Sequence, residues 1–146
     1  MEELIQQMKV TLANTFALYL KGHYFHWNVE GPDFQQFHSF FGDFYEEIYD
    51  AIDPMAEEIR ALDAYAPGSF ARFMELATIQ GEDSVPAALE MVNRLYVDNA
   101  TVYSNIKLAR EQADQLGLNG LVNFLEDRMD KHKKHEWMLR SYLKRV

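Results

Sequence analysis

An all-α fold is predicted by this sequence: a bundle of four long helices with a short extra helix between the second and the third. Three observations predict it. Apolar residues recur at intervals of three and four over long stretches of the chain. The chain has only four prolines and seven glycines in 146 residues, too few for the many turns of a strand-rich fold. The length suits a single domain, residues 1–146, with a sizeable core.

The first two long helices have the clearest periodicity. The first is predicted over residues 2 to about 28, where apolar side chains recur every four residues. Gly31-Pro32 then breaks the pattern, and Asp33 is positioned to cap the second helix, residues 34–62. The apolar side chains of that second helix are Phe37, Phe41, Phe44, Ile48, Ile52, Met55, Ile59 and Leu62.

The segment after the second helix carries turn signals and a short helical pattern. Ser69 follows a Pro-Gly turn and is predicted to cap a short helix from Phe70 to Ile79. A loop then leads to Ser84, which is predicted to cap the third long helix.

The third and fourth long helices complete the bundle. Residues 116–120 separate them, and the fourth helix is predicted to begin at Leu121. The connection between the second and third helices is too long for a tight hairpin. We therefore expect it to run the length of the bundle and to give an up-down-down-up order.

The composition excludes several classes of protein. Cysteine is absent, which excludes disulfides and thiolate metal ligands. No apolar run approaches the roughly 20 residues that span a membrane, and the N-terminus lacks the basic start of a secretory signal. We therefore expect a cytoplasmic protein. The net charge of −9, from 23 acidic and 14 basic residues, opposes non-specific binding to nucleic acid.

Four side chains form the strongest candidate site. His26 and His38 supply two imidazoles, and Asp53 and Glu57 supply two carboxylates one helical turn apart. Each histidine alone is more often a core or surface residue. The set of nitrogen and oxygen donors together is typical of a site for a borderline divalent metal such as iron or zinc.

The spacing of these residues predicts a site shared between subunits. If the second helix is continuous, Asp53 lies about 22 Å along the axis from His38, at roughly 1.5 Å per residue. No metal spans that distance. Two copies of the helix that cross antiparallel near Glu46 and Glu47 would bring His38 of one chain beside Asp53 and Glu57 of the other. The sequence therefore predicts a metal site across a two-fold dimer interface.

These motifs also carry a family resemblance. The residues concerned are His26-Trp27-Asn28-Val29, Gly31-Pro32, Phe34, His38 and Ala56-Glu57. They resemble the first signature of the Dps family, the miniferritins with a ferritin-like fold, and residues 134–143 resemble its C-terminal segment. The short extra helix matches the one that these proteins place between their second and third long helices. The resemblance covers nearly the whole chain.

The resemblance implies a function and a site. It implies a hollow dodecamer, built from two-fold dimers, that acts as a ferroxidase: it oxidises Fe(II) and stores it as a ferric mineral. Hydrogen peroxide is the usual oxidant in the family, with O2 as the other candidate. His26 and His38 would come from one subunit and Asp53 and Glu57 from its partner, each as a direct iron ligand. Zinc is a possible substitute for iron.

One position departs from the family pattern. The family usually has an Asp four residues after the second histidine, where this chain has Gly42. Asp43 is rotated by about 100° around the helix and does not replace it without local unwinding. We expect the second iron position to be weakened, and Gly42 to allow a close helix approach or space for water near the two-fold crossing. The departure leaves open an alternative function, a shell with a degenerate site that holds metal without turnover.

The aromatic and histidine side chains outside this set have simpler interpretations. Trp27 either packs beside the metal site or is a plain core aromatic. For His23, a capping or surface role is favoured over a role behind the metal ligands. His132 and His135 lie among three lysines, which favours a solvated basic face of the fourth helix.

Two further features bear on partners. Glu126, Asp127 and Asp130 are candidates for a cation pore at a three-fold axis, with ordinary surface carboxylates as the alternative. A DNA-compacting stress protein is the remaining alternative function. Basic tails usually carry DNA binding, and here only Lys144 and Arg145 follow the core pattern, so we do not expect it.

Overall fold

The computed structural model describes residues 1–144, and within them it contains helices and no strand. The five helices are α1 (Glu2–Asn28), α2 (Phe34–Ala61), α3 (Phe70–Leu76), α4 (Ala88–Gln115) and α5 (Asn119–Leu143). The predicted fold class, four long helices and a short extra one, is confirmed. No helix in this described part is long and apolar enough to cross a membrane. Arg145, one of the two basic C-terminal residues, lies outside the described residues.

α1 and α2 form an antiparallel hairpin. The hydroxyl of Thr15, in the middle of α1, lies 3.7 Å from the sulfur of Met55 late in α2. His26, near the end of α1, contacts His38 near the start of α2. The chain reverses through residues 29–33, where Gly31 has φ 119°, a conformation that L side chains rarely adopt.

α1 is also antiparallel to α4. Gln7 donates to the backbone carbonyl of Asn105 at 3.2 Å, and further along α1 the ammonium of Lys21 pairs with Asp98 at 2.5 Å. Because α2 and α4 both run opposite to α1, they are parallel to each other. α5 begins at Asn119, two residues earlier than predicted, and packs against α4 and α2.

The direction of α5 completes the predicted order. Asn99 of α4 contacts His132 of α5, and Arg110, further along α4, pairs with the earlier Glu126 at 2.9 Å. α5 therefore runs antiparallel to α4. The expected up-down-down-up arrangement is confirmed, and the segment between α2 and α4 crosses the length of the bundle.

α3 is shorter than the sequence predicts because a buried side chain takes its next hydrogen bonds. The helix begins at Phe70 and ends at Leu76 rather than at Ile79. The Oδ1 of Asn14, fully buried on α1, accepts from the backbone N–H groups of Thr78 and Ile79 at 2.8 and 3.1 Å. In a continuing helix these two groups would donate to carbonyls one turn earlier.

One of the two predicted serine caps is confirmed and the other is wrong. The Oγ of Ser69 accepts from the backbone N–H of Arg72 at 3.2 Å, as predicted for the N-cap of α3. Ser84 does not cap α4: its hydroxyl donates to Glu82 at 2.8 Å, and α4 begins only at Ala88. The proline at position 86 disfavours the helical conformation of the residue before it, which delays the start of the helix.

The interpretation of His132 and His135 as part of a solvated basic face is wrong. Both are buried, as is Arg128 one turn earlier. These three residues continue the three-and-four spacing of the apolar stripe on α5, between Leu125 and Leu139. The neighbouring lysines occupy the exposed side of the same turns. The periodicity of the stripe, rather than the charge of its neighbours, decides where the histidines lie.

Candidate metal centre

His26 and His38 lie face to face at one end of the α1–α2 hairpin. Their ring centroids are 3.8 Å apart and their planes are inclined by 17°. Both side chains are partly exposed. The antiparallel packing of the two helices brings together two residues that are twelve positions apart in the sequence.

Two reciprocal hydrogen bonds fix the tautomer of both rings. The Nδ1 of His26 lies 2.6 Å from the backbone oxygen of His38, and the Nδ1 of His38 lies 2.7 Å from the backbone oxygen of His26. A carbonyl oxygen only accepts, so each Nδ1 carries the proton. In the neutral ring the lone pair is then on Nε2. Hydrogen bonds of this kind orient histidines that bind metals through the opposite nitrogen.

Gly42 makes room for His26. A Cβ at position 42 would lie 3.1 Å from Cε1 and 3.2 Å from Nδ1 of the His26 ring. The space left by the missing side chain is therefore filled by a metal-ligand candidate rather than by water. A larger residue at position 42 would require the His26 ring to move by a few tenths of an ångström.

Asp43 lies on a different side of α2 from the histidine pair. It lines a groove between α2 and α5 together with Lys131, Lys134 and His135. Its carboxylate does not join His26 and His38 within the subunit. Asp43 therefore does not supply the carboxylate that the family usually has at position 42.

Asp53 and Glu57 form a pair of exposed carboxylates one turn apart on α2. A side-chain hydrogen bond with Asp53, reinforced by its charge, raises the pKa of Glu57. Two ionised carboxylates that lie close together repel each other, and a cation bound between them removes that repulsion. Neither carboxylate forms a salt bridge with a residue in the described part of the chain.

The two pairs do not meet within one subunit. α2 is continuous from Phe34 to Ala61, so His38 and Asp53 are separated by about 22 Å along its axis. Among residues 1–144, no three His, Asp or Glu side chains of the single chain come together in a way that could hold a metal. The candidate ligands are thus divided into a histidine half and a carboxylate half.

An aromatic cluster borders the histidine half. His23 stacks on Tyr45 with 3.8 Å between ring centroids and 7° between planes, and its other neighbour is Trp27 at 3.9 Å. The hydroxyl of Tyr19 lies 3.0 Å from the Nδ1 of His23. Burial, followed by the proximity of His26, lowers the pKa of His23. His23 is thus a partly exposed member of this aromatic cluster, and a role behind the metal ligands stays a prediction.

Trp27 is not a plain core aromatic, because 59% of its surface is exposed. Its indole contacts His23, whose ring centroid is 6.1 Å from that of His26. The signal for this cluster was in the sequence: on α1, His23 follows Tyr19 by four residues, and His26 and Trp27 follow His23 by three and four.

The pore candidates are all at the surface. Glu126, Asp127 and Asp130 are exposed on α5, and Glu126 forms a salt bridge with Arg110. A role of these residues at a three-fold axis stays a prediction.

The chain is similar to known proteins in family, sequence and structure. Residues 5–146 match the family model described as a ferritin-like domain. The chain is 32% identical over 148 residues to the DNA protection during starvation protein of Brevibacillus brevis, covering 98% of this chain and 99% of that protein.

Two solved structures extend the likeness to the fold. The crystal structure of a Dps protein from Bacillus brevis has a TM-score of 0.92 and 30% identity, covering 98% of this chain and 96% of that one. A Dps protein from Vibrio cholerae O1, described as a member of a broad superfamily of ferritin-like diiron-carboxylate proteins, has a TM-score of 0.92 and 26% identity, covering 98% and 90%. The chain therefore belongs to the Dps family of ferritin-like proteins.

Proposed function

We propose that this protein stores and detoxifies iron, and that it oxidises Fe(II) at a site shared by two subunits related by a two-fold axis. His26 and His38 of one subunit and Asp53 and Glu57 of the other are the ligands. The observation that carries the proposal is the division of the site: two half-sites, each already arranged for a cation, lie too far apart to act within one chain.

The donor set suits the reaction. Two neutral imidazoles and two carboxylates give a charge of −2, which balances Fe(II) and attracts the more highly charged Fe(III) more strongly. Carboxylate oxygens and imidazole nitrogens are common ligands of iron in proteins. The Dps proteins similar to this chain, one of which is described as belonging to a diiron-carboxylate superfamily, support iron as the substrate.

The assembly and the oxidant are further parts of the proposal. Two-fold dimers build a hollow dodecamer that holds the ferric mineral, and hydrogen peroxide, or O2, accepts the electrons. Because Gly42 and Asp43 supply no carboxylate beside the histidine pair, one iron position per site is held firmly and a second is weak.

An exposed apolar groove supports association with a second copy. It has a volume of about 490 Å³ and runs between α1 and the segment that contains α3. Leu20, Trp27, Phe70 and Met74 line it, and each is exposed in the single chain. Contiguous exposed apolar surface of this kind marks protein interfaces. The groove reaches Trp27, next to the histidine half-site.

The test is complementation between two inactive variants. His38→Ala and Asp53→Ala should each abolish ferroxidase activity, because each leaves every site without one ligand. After reversible disassembly and mixing in equal amounts, half of the dimers are mixed, and each mixed dimer has one intact site. About a quarter of the wild-type activity should then return, because a two-fold dimer carries two identical sites.

Subunit exchange must be verified in this experiment, for example by mass spectrometry of isotope-labelled subunits. Mixing two samples of the same variant is the control and should restore nothing. If exchange is complete and activity does not return, the ligands do not come from two chains.

The second candidate, a shell with a degenerate site, rests on Gly42. Anaerobic addition of Fe(II) followed by peroxide distinguishes the two functions. Rapid growth of ferric absorbance, with more iron retained than the ligand sites hold, supports storage. Binding in proportion to the sites, without mineral, supports the degenerate shell.

A further inference from the structure

A cage of metal-ligand side chains surrounds Arg128 at the centre of the bundle. Nη1 and Nη2 of Arg128 donate to the two carboxylate oxygens of Glu47 at 2.6 and 3.0 Å. Nη2 also donates to Nε2 of His132 at 3.0 Å. The Nε2 of His135 lies 2.8 Å from the same carboxylate. Glu47 and His132 thus contact the guanidinium directly, and His135 is joined to it through the carboxylate of Glu47.

His132 is held as a metal-binding histidine is held. Its Nε2 must accept, since a guanidinium only donates, so the proton of the neutral ring is on Nδ1. That Nδ1 donates to Oδ1 of Asn99 at 2.8 Å, and Nδ2 of Asn99 donates back to the carbonyl of His132 at 3.0 Å. A second hydrogen bond that fixes ring and tautomer is the usual support of a metal ligand.

The electrostatics of the cage depend on the cation inside it. Burial opposes ionisation of Glu47, but hydrogen bonds from His135 and Arg128 outweigh it and hold the pKa of that carboxyl well below its usual range. Burial, together with the charge of Arg128, lowers the pKa of His132 well below its usual value. The folded cage therefore contains an anion and a neutral imidazole, the protonation states in which these groups bind metals.

Arg128 itself is incompletely satisfied. Only 3% of its surface is exposed, and its Nε finds no hydrogen-bond partner among residues 1–144. The Nδ1 of His135, also buried, finds none within the same residues. The hydrogen bonds of the cage thus go to the two terminal nitrogens of the guanidinium, and its Nε and the Nδ1 of His135 stay unpaired within this described part of the chain.

We propose that Arg128 takes the place of a metal ion at the bundle centre and thereby keeps ferrous iron away from Glu47, His132 and His135. Ferritin-like di-iron proteins bind metals in the bundle core, with a Glu from each of two helices and a Glu-x-x-His pair from each of the other two. His132 and His135 have the same i, i+3 spacing on α5, with a histidine where that pair has its glutamate. Nη2 lies 3.0 Å from its acceptors, so the side chains need to close in by about 1 Å to reach zinc-like or iron-like bond lengths.

This inference concerns a position inside one subunit and does not depend on the shared site. It assigns to Arg128 the role of a specificity residue, because the guanidinium occupies the space between Glu47 and His132. Removal of the guanidinium should open a second metal site.

The experiment uses Co²⁺ as the probe in a His38→Ala background, which removes a ligand of the proposed shared site. Arg128→Ala in this background should bind about one additional Co²⁺ per subunit, with the intense visible absorption of a low-coordinate ion. The same variant with Glu47→Gln added should lose that binding. Arg128→Lys should not gain it, because an ammonium group keeps a positive charge in the cage.

Metal-dependent stability keeps the proposal testable if Arg128→Ala folds poorly. Thermal unfolding with and without Co²⁺ should then show a rise in Tm on metal addition, since a ligand that binds only the folded state stabilises it. A rise in Tm that disappears with Glu47→Gln supports the proposal. Failure of Arg128→Ala to bind Co²⁺, or to be stabilised by it, overturns the proposal, as does equal Co²⁺ binding by Arg128→Lys.

Discussion

The bundle centre and the candidate metal centre both contain imidazole and carboxylate groups, but these groups have different partners in the two regions. At the centre, Glu47 and His132 bond to a cation that belongs to the chain, and the group is closed to solvent on most sides. At the edge of the bundle, His26 and His38 are partly exposed, and each donates from Nδ1 to the backbone carbonyl of the other. The lone pair of each Nε2 is therefore available to a ligand.

The difference teaches how to distinguish a structural polar cluster from a binding site. Residue type does not distinguish them, since imidazole and carboxylate occur in both. What differs is the source of the balancing cation. In the central cluster it is Arg128 of the same subunit, whereas in the proposed site the histidine half and the carboxylate half each need a metal ion and ligands from a second chain. An incomplete set that is held in place by hydrogen bonds indicates a ligand or a second chain.

The largest expected effect is on the stability of the bundle centre. Glu47→Ala leaves the buried guanidinium of Arg128 without its carboxylate and should lower the free energy of unfolding by about 3–5 kcal/mol. Urea denaturation measures it. Glu111→Ala, at an exposed position of α4, is the matched control and should change stability by less than about 0.5 kcal/mol. Similar losses in the two variants would show that the ion pair of Glu47 and Arg128 contributes no more to stability than an exposed residue does.

Acid should weaken the same region. Folding lowers the pKa of His132, so below about pH 6.5 this ring binds a proton in the unfolded chain but stays neutral in the folded one. Its contribution to stability is fully present above about pH 6.5 and falls by up to about 1.4 kcal/mol per pH unit below that value. Glu47, whose folded pKa is also lowered, adds a loss below about pH 4.3.

The measurement for the acid effect is the urea midpoint of the iron-free protein between pH 8 and pH 5. His132→Gln serves as the comparison, since it removes the titrating ring from the centre. Its stability should depend less steeply on pH in this window than that of the unchanged protein. Parallel curves for the two proteins would contradict the assignment of the slope to His132.

A smaller effect is expected at the edge site from changes at Gly42. Gly42→Ala places a Cβ 3.1 Å from the His26 ring and should weaken Fe(II) binding by about tenfold, as a disturbed ligand orientation does. Gly42→Asp has the same Cβ but adds a carboxylate, so it should bind more iron per site than the Ala variant. Anaerobic calorimetry with Fe(II) gives both numbers, and an Asp variant no better than Ala would show that the carboxylate does not reach the metal.

The smallest effect is expected with DNA, which neither region is built to contact. With a net charge of −9, the protein should not retard plasmid in a gel at low salt, the condition where electrostatic binding is strongest. A Dps protein known to retard the same plasmid is the positive control. Retention at low micromolar concentration would support the DNA-compacting alternative.

Much of the fold was predictable because the apolar spacing on α1 and α2 is continuous and the breaks at Gly31 and Pro67 are clear. The start of α4 was predicted too early, since Ser84 bonds to a neighbouring carboxylate instead of to the helix. The end of α3 was predicted too late, because the competing hydrogen bonds come from Asn14, more than sixty residues away. Such a contact leaves no local signal.

The candidate site was predictable in part. The i, i+4 spacing of Asp53 and Glu57 indicated a carboxylate pair, and the proximity of Asp53 raises the pKa of Glu57. The bundle centre was missed because the lysines around His132 and His135 suggested solvent, although the spacing of the two histidines continued the buried stripe. Their role depends on Glu47, which lies 88 positions before His135 in the sequence, so only the tertiary structure could reveal it.

The parallel orientation of α2 and α4 has a consequence for how the chain reaches its native state. The molecule consists of two helical hairpins, α1–α2 and α4–α5, whose internal contacts are close in sequence. Contacts between the hairpins join distant residues, such as Gln7 with Asn105. Because short loops close at a lower entropic cost, each hairpin should form rapidly and the docking of one on the other should limit the folding rate. The buried bridges of Lys21 and Glu47 to the opposite hairpin then form late, so they slow unfolding more than they speed folding.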